Sequence, residues 1–231
     1  MSKFSHRSKE KELLDGDHID FQDISRNLKE LDFINTHLGG HAITLSGFKN
    51  LLGNRTKISV CEIGCGGGDN LNALEKFCRK KGIEVEFIGI DINPECIEYA
   101  RSNIINTNTR FILSDYKEVL FDKKPDILFS SLFCHHFSDA ELIEMLQWMK
   151  IHSTIGFFIN DLQRHPLAYH SIRLLTRLFS RSYLVKNDAP LSVLRAFKKM
   201  EWEKLLEKAQ ISRYEINWKW AFRYLIISKN D

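Results

Sequence analysis

Residues 57–71 read KISVCEIGCGGGDNL, and how this stretch is read decides the fold. A β-prone apolar run, residues 58–63, meets four glycines within residues 61–70, from a chain that has twelve in all. Beyond them, residues 70–81 carry apolar side chains at three- and four-residue spacing, the mark of a helix. A strand that ends in G-x-G-x-G and opens into a helix presents main chain with no Cβ in the way of a ligand. Gly64, Gly66 and Gly68 fit that description, with a carboxylate, Glu62, placed beside the turn.

Working outward, the alternation of strand and helix continues. β-Prone runs fall at residues 58–63, 85–90, 110–113, 126–129, 155–159, 214–218 and 222–227. Helical stretches at 70–81, 94–103 and 140–150 separate the early ones, with Pro94 after Asn93 and Ser138-Asp139 as starts. Such alternation predicts an α/β fold: a doubly wound, mostly parallel sheet with helices on both faces. The last two runs are joined by too few residues for a parallel crossover, so they form an antiparallel hairpin at the sheet edge.

Two segments stand outside this pattern. Residues 21–52 read as two helices divided by a glycine stop. Residues 163–199 intervene between the fifth strand and a helix at 201–209, and are too long for an ordinary connection. Ligands of open α/β sheets sit beyond the carboxyl ends of the strands, the edge that both segments are placed to roof.

Composition bounds the class. At 231 residues, 43% hydrophobic and with sixteen Phe, the chain suits one packed α/β domain with embellishments. A net charge of +3, from 33 basic and 30 acidic residues, gives no strong polyanion-binding signal. The charged first residues lack a signal peptide's apolar core and no run reaches membrane-spanning length, so a cytoplasmic protein is expected. Cys61, Cys65, Cys78, Cys96 and Cys134 are odd in number and contain no C-x-x-C pair. They read as small apolar fillers, and no metal is assigned.

Two carboxylates bear on the ligand. Asp91 ends the second strand, one βα unit after the glycines, where a carboxylate can accept from ribose hydroxyls. Glu62 then argues about charge. A pyrophosphate at the turn would suffer about 4 kcal/mol of repulsion from a carboxylate ~4 Å away at an effective dielectric near 20. S-adenosylmethionine brings an ammonium and a sulfonium instead. The spacing also departs from G-x-G-x-x-G.

"VCEIGCGGGDNL", "FIGIDINPECIEYAR", "FILSDY" and "DILFSSLFCHHFSDAEL", in that order, resemble the class I S-adenosylmethionine-dependent methyltransferases over about three quarters of the chain. The resemblance implies a seven-stranded Rossmann-like sheet with an antiparallel last strand. With the two segments outside the alternation it gives an N-terminal helical cap (residues 1–56), a methyltransferase domain (57–231) and a substrate-covering insertion (163–199) after strand 5. It also implies site residues. Glu62, Gly64, Cys65, Gly66 and Gly68 would surround the methionyl part, and Asp91 the ribose. Asp115 would face the adenine amine with Ile92 and Tyr116 flanking the ring, and Ser131 and Leu132 would line the sulfonium side. Read as a residue alone, Asp115 is equally a turn former.

Methyl transfer depends on alignment and exclusion of water, and needs a base only where the acceptor carries a proton. Candidates are His136, with His135 beside it, then Asp161, His165 and His170. His136 is open between packing and acceptor contact, and His165 between base and helix cap. "SSLF" stands where amino-group methyltransferases acting on nucleobases carry an Asn/Asp-Pro-Pro-aromatic run. An oxygen or activated ring carbon of a small, largely apolar molecule is therefore expected, an aromatic or polyketide-like hydroxyl first. The insertion and "CHHF" are similar to quinone- and polyketide-pathway members of the family.

Within the insertion, Ile172, Leu175, Leu178 and Phe179 share a helical face and Arg173, Arg177 and Arg181 another. An amphipathic cover is the expected role, and transient contact with a membrane surface is compatible with the pattern. Phe21, Phe33, Trp148 and Tyr169 are apolar surfaces for the acceptor or the core. The partner expected is a small molecule, not nucleic acid, with the chain a monomer or homodimer. A quinone-type ring C-methyltransferase, an RNA methyltransferase and a non-catalytic cofactor-binding scaffold are the rivals.

Overall fold

The computed structural model describes residues 3–16, 19–104 and 108–230. Its seven strands are β1 Lys57–Ile63, β2 Glu84–Asp91, β3 Thr109–Leu113, β4 Ile127–Ser131, β5 Gly156–Leu162, β6 Tyr214–Lys219 and β7 Arg223–Lys229. They lie in the order β3-β2-β1-β4-β5-β7-β6. The pairings from β3 to β5 are parallel, and β7 runs antiparallel to both β5 and β6. The expected hairpin is there, folded so that β7 inserts beside β5 and β6 forms the rim.

Side-chain alternation along the strands builds two cores. Cys61, Ile63, Leu128, Phe157, Ile159 and Ile226 face one way, against helices α5 (Asp139–His152) and α8 (Lys199–Lys208). Ile58, Val60, Phe129, Phe158, Leu225 and Ile227 face the other. There they meet α2 (Gly40–Leu52), α3 (Asp69–Lys81) and α4 (Pro94–Asn103). Phe129 and Phe158 stack across the β4–β5 pair with centroids 4.8 Å apart. Each fully buried Phe contributes about 1.5–3 kcal/mol of transfer free energy. All five cysteines are free and buried, as filler residues should be.

Helix starts follow local chemistry. Ser138 and Glu141 form a reciprocal capping box before α5. The Asn93 side chain accepts from the Cys96 amide, with Pro94 in the first turn of α4. The insertion holds two helices, α6 (Pro166–Phe179) and α7 (Tyr183–Arg195). Residues 21–52 form α1 (Phe21–His37) and α2, divided at Gly39 in the left-handed region (φ 79°).

The expectation of α6 as an amphipathic cover needs correction. Leu178 and Phe179 are 64% and 77% exposed, and Leu167, Leu174 and Leu175 are exposed with them. Ala168 and Thr176 face inward instead. None of Phe21, Phe33, Trp148 or Tyr169 lines the cleft described next. Trp148 packs edge-on against Tyr116, and Tyr169 against Phe4.

Candidate active site

A cleft of about 920 Å³ opens at the carboxyl ends of β1, β2 and β4. Its floor is the main chain of Gly64–Gly67, and its sides include Asp91, Ile92, Asp115, Tyr116, Ser131, Leu132 and His136. The N-terminal segment supplies Lys11, Leu14, Asp15 and Gly16, α1 supplies Leu28, Leu31, Asp32 and Asn35, and the insertion supplies Arg195 alone.

The glycines serve different ends. Gly66 has φ +50°, and a Cβ there would only touch Leu28 at 3.6 Å, so its left-handed backbone and not a lack of room calls for glycine. At Gly64 an added Cβ would stand 2.3 Å from the Phe133 ring, and at Gly68 2.4 Å from Ile104. These two permit close packing under the turn.

Asp91 is preset by the turn. Its two oxygens accept from the Gly66 amide (2.8 Å) and the Asn93 amide (2.9 Å). Burial pushes its carboxyl above the usual range, against the pull of those two amides. Asp115 caps the turn after β3 by accepting from the Lys117 amide, so the turn reading and the cleft-lining position are both realised. Ile92 stands 71% exposed at the mouth, while Tyr116 is buried and its hydroxyl has no hydrogen-bond partner among the described residues. Ser131 Oγ accepts from Asn160 Nδ2, and Leu132, at φ 53°, donates its amide to the Asn160 carbonyl. The Cys65 thiol is enclosed by the sheet, 2.9 Å from where a Cβ on Gly89 would stand.

Glu62 is not where the sequence suggested. Alternation along β1 puts it on the face of Ile58 and Val60, 1% exposed beneath the turn and outside the cleft lining. Its Oε1 accepts from Asn70 Nδ2 at 2.9 Å, and its Oε2 has no hydrogen-bond partner among the described residues. Desolvation, then Asp69 and Asp91, push its pKa well above the usual carboxylate value. The charge argument passes to other residues: six carboxylates (Asp15, Asp32, Asp69, Asp91, Glu95, Asp115) line the cleft against Lys11 and Arg195. That surface suits a cationic nucleoside and opposes a pyrophosphate. A bare turn, a preset ribose-height carboxylate and an acidic wall together fit S-adenosylmethionine.

The expected catalytic residues separate. His136 lines the cleft, and its Nδ1 lies 2.9 Å from Asp15 Oδ1. Asp161 is fully buried and holds His135 Nδ1 at 2.8 Å. His165 caps α6 by accepting from the Leu167 amide, and its ring stacks on Phe222 at 4.9 Å. Neither Asp161 nor His165 lines the cleft.

What sequence reasoning missed is the N-terminal segment. Glu12, 6% exposed, approaches His135 Nε2 at 3.4 Å and His136 Nε2 at 3.8 Å. Burial opposes a charge on His135, but Asp161 and Glu12 outweigh it and push its pKa up to about 10. The Arg195 guanidinium donates to the carbonyls of His135, His136 and Glu10. Arg7 reaches the carbonyls of His135 and Phe137 from the other side. Contacts that span from 59 to 185 residues leave no local signal.

Residues 60–154 match the family described as "Methyltransferase domain". A malonyl-[acyl-carrier protein] O-methyltransferase of Acetivibrio thermocellus is 27% identical over 135 residues, 58% of this chain. The chain spans 46% of that relative's length. The plantazolicin methyltransferase BpumL, solved with SAH, superposes with a TM-score of 0.66 at 20% identity, covering 91% of this chain and 90% of its own. Human N-acetylserotonin methyltransferase, solved with SAM, gives 0.64 at 15% identity, covering 91% and 56%.

Proposed function

We propose that this chain, a class I S-adenosylmethionine-dependent methyltransferase by its fold and its matched domain, methylates a small, largely apolar acceptor. An aromatic or polyketide-like hydroxyl is the first choice. The observation that carries the cofactor half is the Asp91 carboxylate, held by the Gly66 and Asn93 amides at the floor of an acidic cleft. When bound, S-adenosylmethionine supplies a methyl activated on a sulfonium, which departs as a neutral thioether.

This chain's residues do the rest. Asp91 accepts from the ribose hydroxyls, and the Gly66 main chain lies against the ligand without a side chain. Asp115, Ile92 and Tyr116 receive the adenine, and the turn at Ser131 and Leu132 the sulfonium side. Leu14, Leu28, Leu31, Phe133 and Phe137 form an apolar wall that excludes water from the acceptor. Because Asp15 holds His136 Nδ1, the atom offered to an acceptor proton is Nε2. Asp161 and His165 act at a distance, as holder of His135 and as cap of α6.

The rival RNA reading loses support from two of its arginines. Arg164 is buried on Glu201 and the Ala196 carbonyl, and Arg195 on the His135–His136 turn. A ring-carbon acceptor stays as the second reading, since the apolar wall favours neither atom. No described helix is long and apolar enough to cross a membrane. The exposed leucines of α6 beside Arg173 and Arg177 support transient contact with an anionic surface.

Calorimetry with S-adenosylmethionine, S-adenosylhomocysteine and NAD tests the cofactor half. Binding of the first two and not the third is expected; uptake of NAD alone would overturn the reading. A panel of phenols, quinols and acyl thioesters then resolves the acceptor.

A further inference from the structure

The two histidines after β4 are arranged in a way that proton transfer does not require. Both point Nε2 at one carboxylate, Glu12, at 3.4 and 3.8 Å, and the donor atoms of all three lie within 4.8 Å of one another. Both also have Nδ1 held by a separate carboxylate: Asp161 at 2.8 Å for His135 and Asp15 at 2.9 Å for His136. A metal-bound imidazole shows this same division, with one nitrogen on the ion and the other fixed by an outer carboxylate. Metal–ligand bonds of about 2.0–2.1 Å in a tetrahedral site place neighbouring donors ~3.3 Å apart, and the two imidazoles lie 3.4 and 3.8 Å from the two Glu12 oxygens, a separation that a small closure would bring to an ion.

The surroundings are consistent. The two rings lie side by side on one turn, 4.5 Å apart and tilted by 32°. Arg195 and Arg7 clamp the carbonyls of the His135–His136 turn and fix its backbone. Glu12 Oε1 also accepts from Ser192 Oγ at 2.8 Å, which orients the carboxylate. Arg195 stands 3.9 Å from Glu12 and 3.8 Å from Asp15, and with Arg7 it already offsets part of the charge of Glu12, Asp15 and Asp161.

We propose that Glu12, His135 and His136 form a site for one first-row divalent ion of the zinc type. Asp161 and Asp15 hold the two histidines, and a further coordination position faces the cleft. The donor set, two imidazoles and one carboxylate, suits zinc, and three protein ligands leave a place for an oxygen ligand. Among the three ligands His136 lines the cleft, with Asp15 beside it, while Glu12 and His135 are buried behind it, so the further position is reached from the His136 side. An acceptor oxygen would then contact the ion in place of His136 Nε2. That last contact rests on the methyltransferase reading; the metal site does not.

The test uses the full chain after chelator dialysis. Titration with Co²⁺, followed by visible ligand-field absorption and displaced by Zn²⁺, should show one equivalent with the intensity of a four-coordinate site. Glu12→Gln and His136→Ala should each weaken binding at least tenfold with unchanged circular dichroism. Asp161→Asn should weaken it by about 10–100-fold as an outer-shell change. Binding equal in all four proteins overturns the site, as does binding lost in Asp69→Asn instead, which would place the ion at the Asp32–His41–Asp69 cluster. No binding at all leaves a proton-only bridge and equally overturns it. Affinity for S-adenosylhomocysteine, read in the same samples, reports on the methyltransferase reading separately.

Discussion

Asp91 carries two duties, and a substitution separates them. Its carboxylate tethers the glycine turn to the Asn93 turn, and it is the group proposed above to take the ribose. Asp91→Asn keeps one acceptor oxygen for an amide and loses the charge. It should weaken S-adenosylmethionine at least tenfold by calorimetry, about 1.4 kcal/mol for a lost charge-assisted contact. Unchanged affinity in the folded variant would remove Asp91 from the site. Asp126 offers a purely structural counterpart. It accepts from the Ser59 amide and hydroxyl and from Thr154 Oγ1. Partial burial resists its charge, but these donors prevail and hold its pKa below the usual value. A depressed folded-state pKa means stability that is present above the unfolded value, near 3.9, and lost as pH falls through the folded one. Asp126→Asn should therefore lower the unfolding free energy by about 1 kcal/mol at pH 7. It should also flatten the wild-type loss below about pH 4 in denaturant titrations across pH. Asp91 was legible from its strand-end position. Glu62 was not, because a strand covered on both faces gives a charged residue no visible outer side.

Elements with strong local signals were read within a residue or two. Pro94 and Asn93 fix the start of α4 by a missing donor and a side-chain cap, and Ser138 with Glu141 fixes α5. What locality does not reveal is how closely elements approach. Helix α2 lies on β5 through Gly47, where a Cβ would stand 2.6 Å from the Phe158 ring. Gly47→Ala should cost about 1–3 kcal/mol in urea unfolding, because Phe158 is itself stacked on Phe129 and has no room to yield. Helix α6 shows the opposite failure. Its periodicity was visible, but its apolar stripe faces outward, since helix amphipathicity does not name the partner. Leu174→Glu with Leu178→Glu should abolish cosedimentation with anionic vesicles if the stripe is a membrane contact. Equal, weak cosedimentation of both proteins would dismiss that contact.

At the scale of the whole molecule, the sheet and the glycine turn build the cofactor half from residues close in sequence. The half proposed for the acceptor is assembled from afar. Leu13 and Leu14 donate their amides to Asp188 on α7, and Ser8 donates to the Leu194 carbonyl. The segment with Glu12 and Asp15 is thus pinned between α7 and the His135–His136 turn. Hydrogen exchange should show residues 11–16 gaining protection when S-adenosylhomocysteine binds, more than the strands behind the site. Protection confined to the glycine turn would argue that this segment does not close on the ligand.

That arrangement divides inheritance within the chain. The part that reads the methyl donor is written in one continuous stretch of sheet and turn. On the reading proposed above, the molecule to be altered would meet a short opening passage laid against the first helix and the bend after the fourth strand. Exchanging only that passage between two kindred proteins should transplant the taste for a substrate and leave the appetite for the donor untouched.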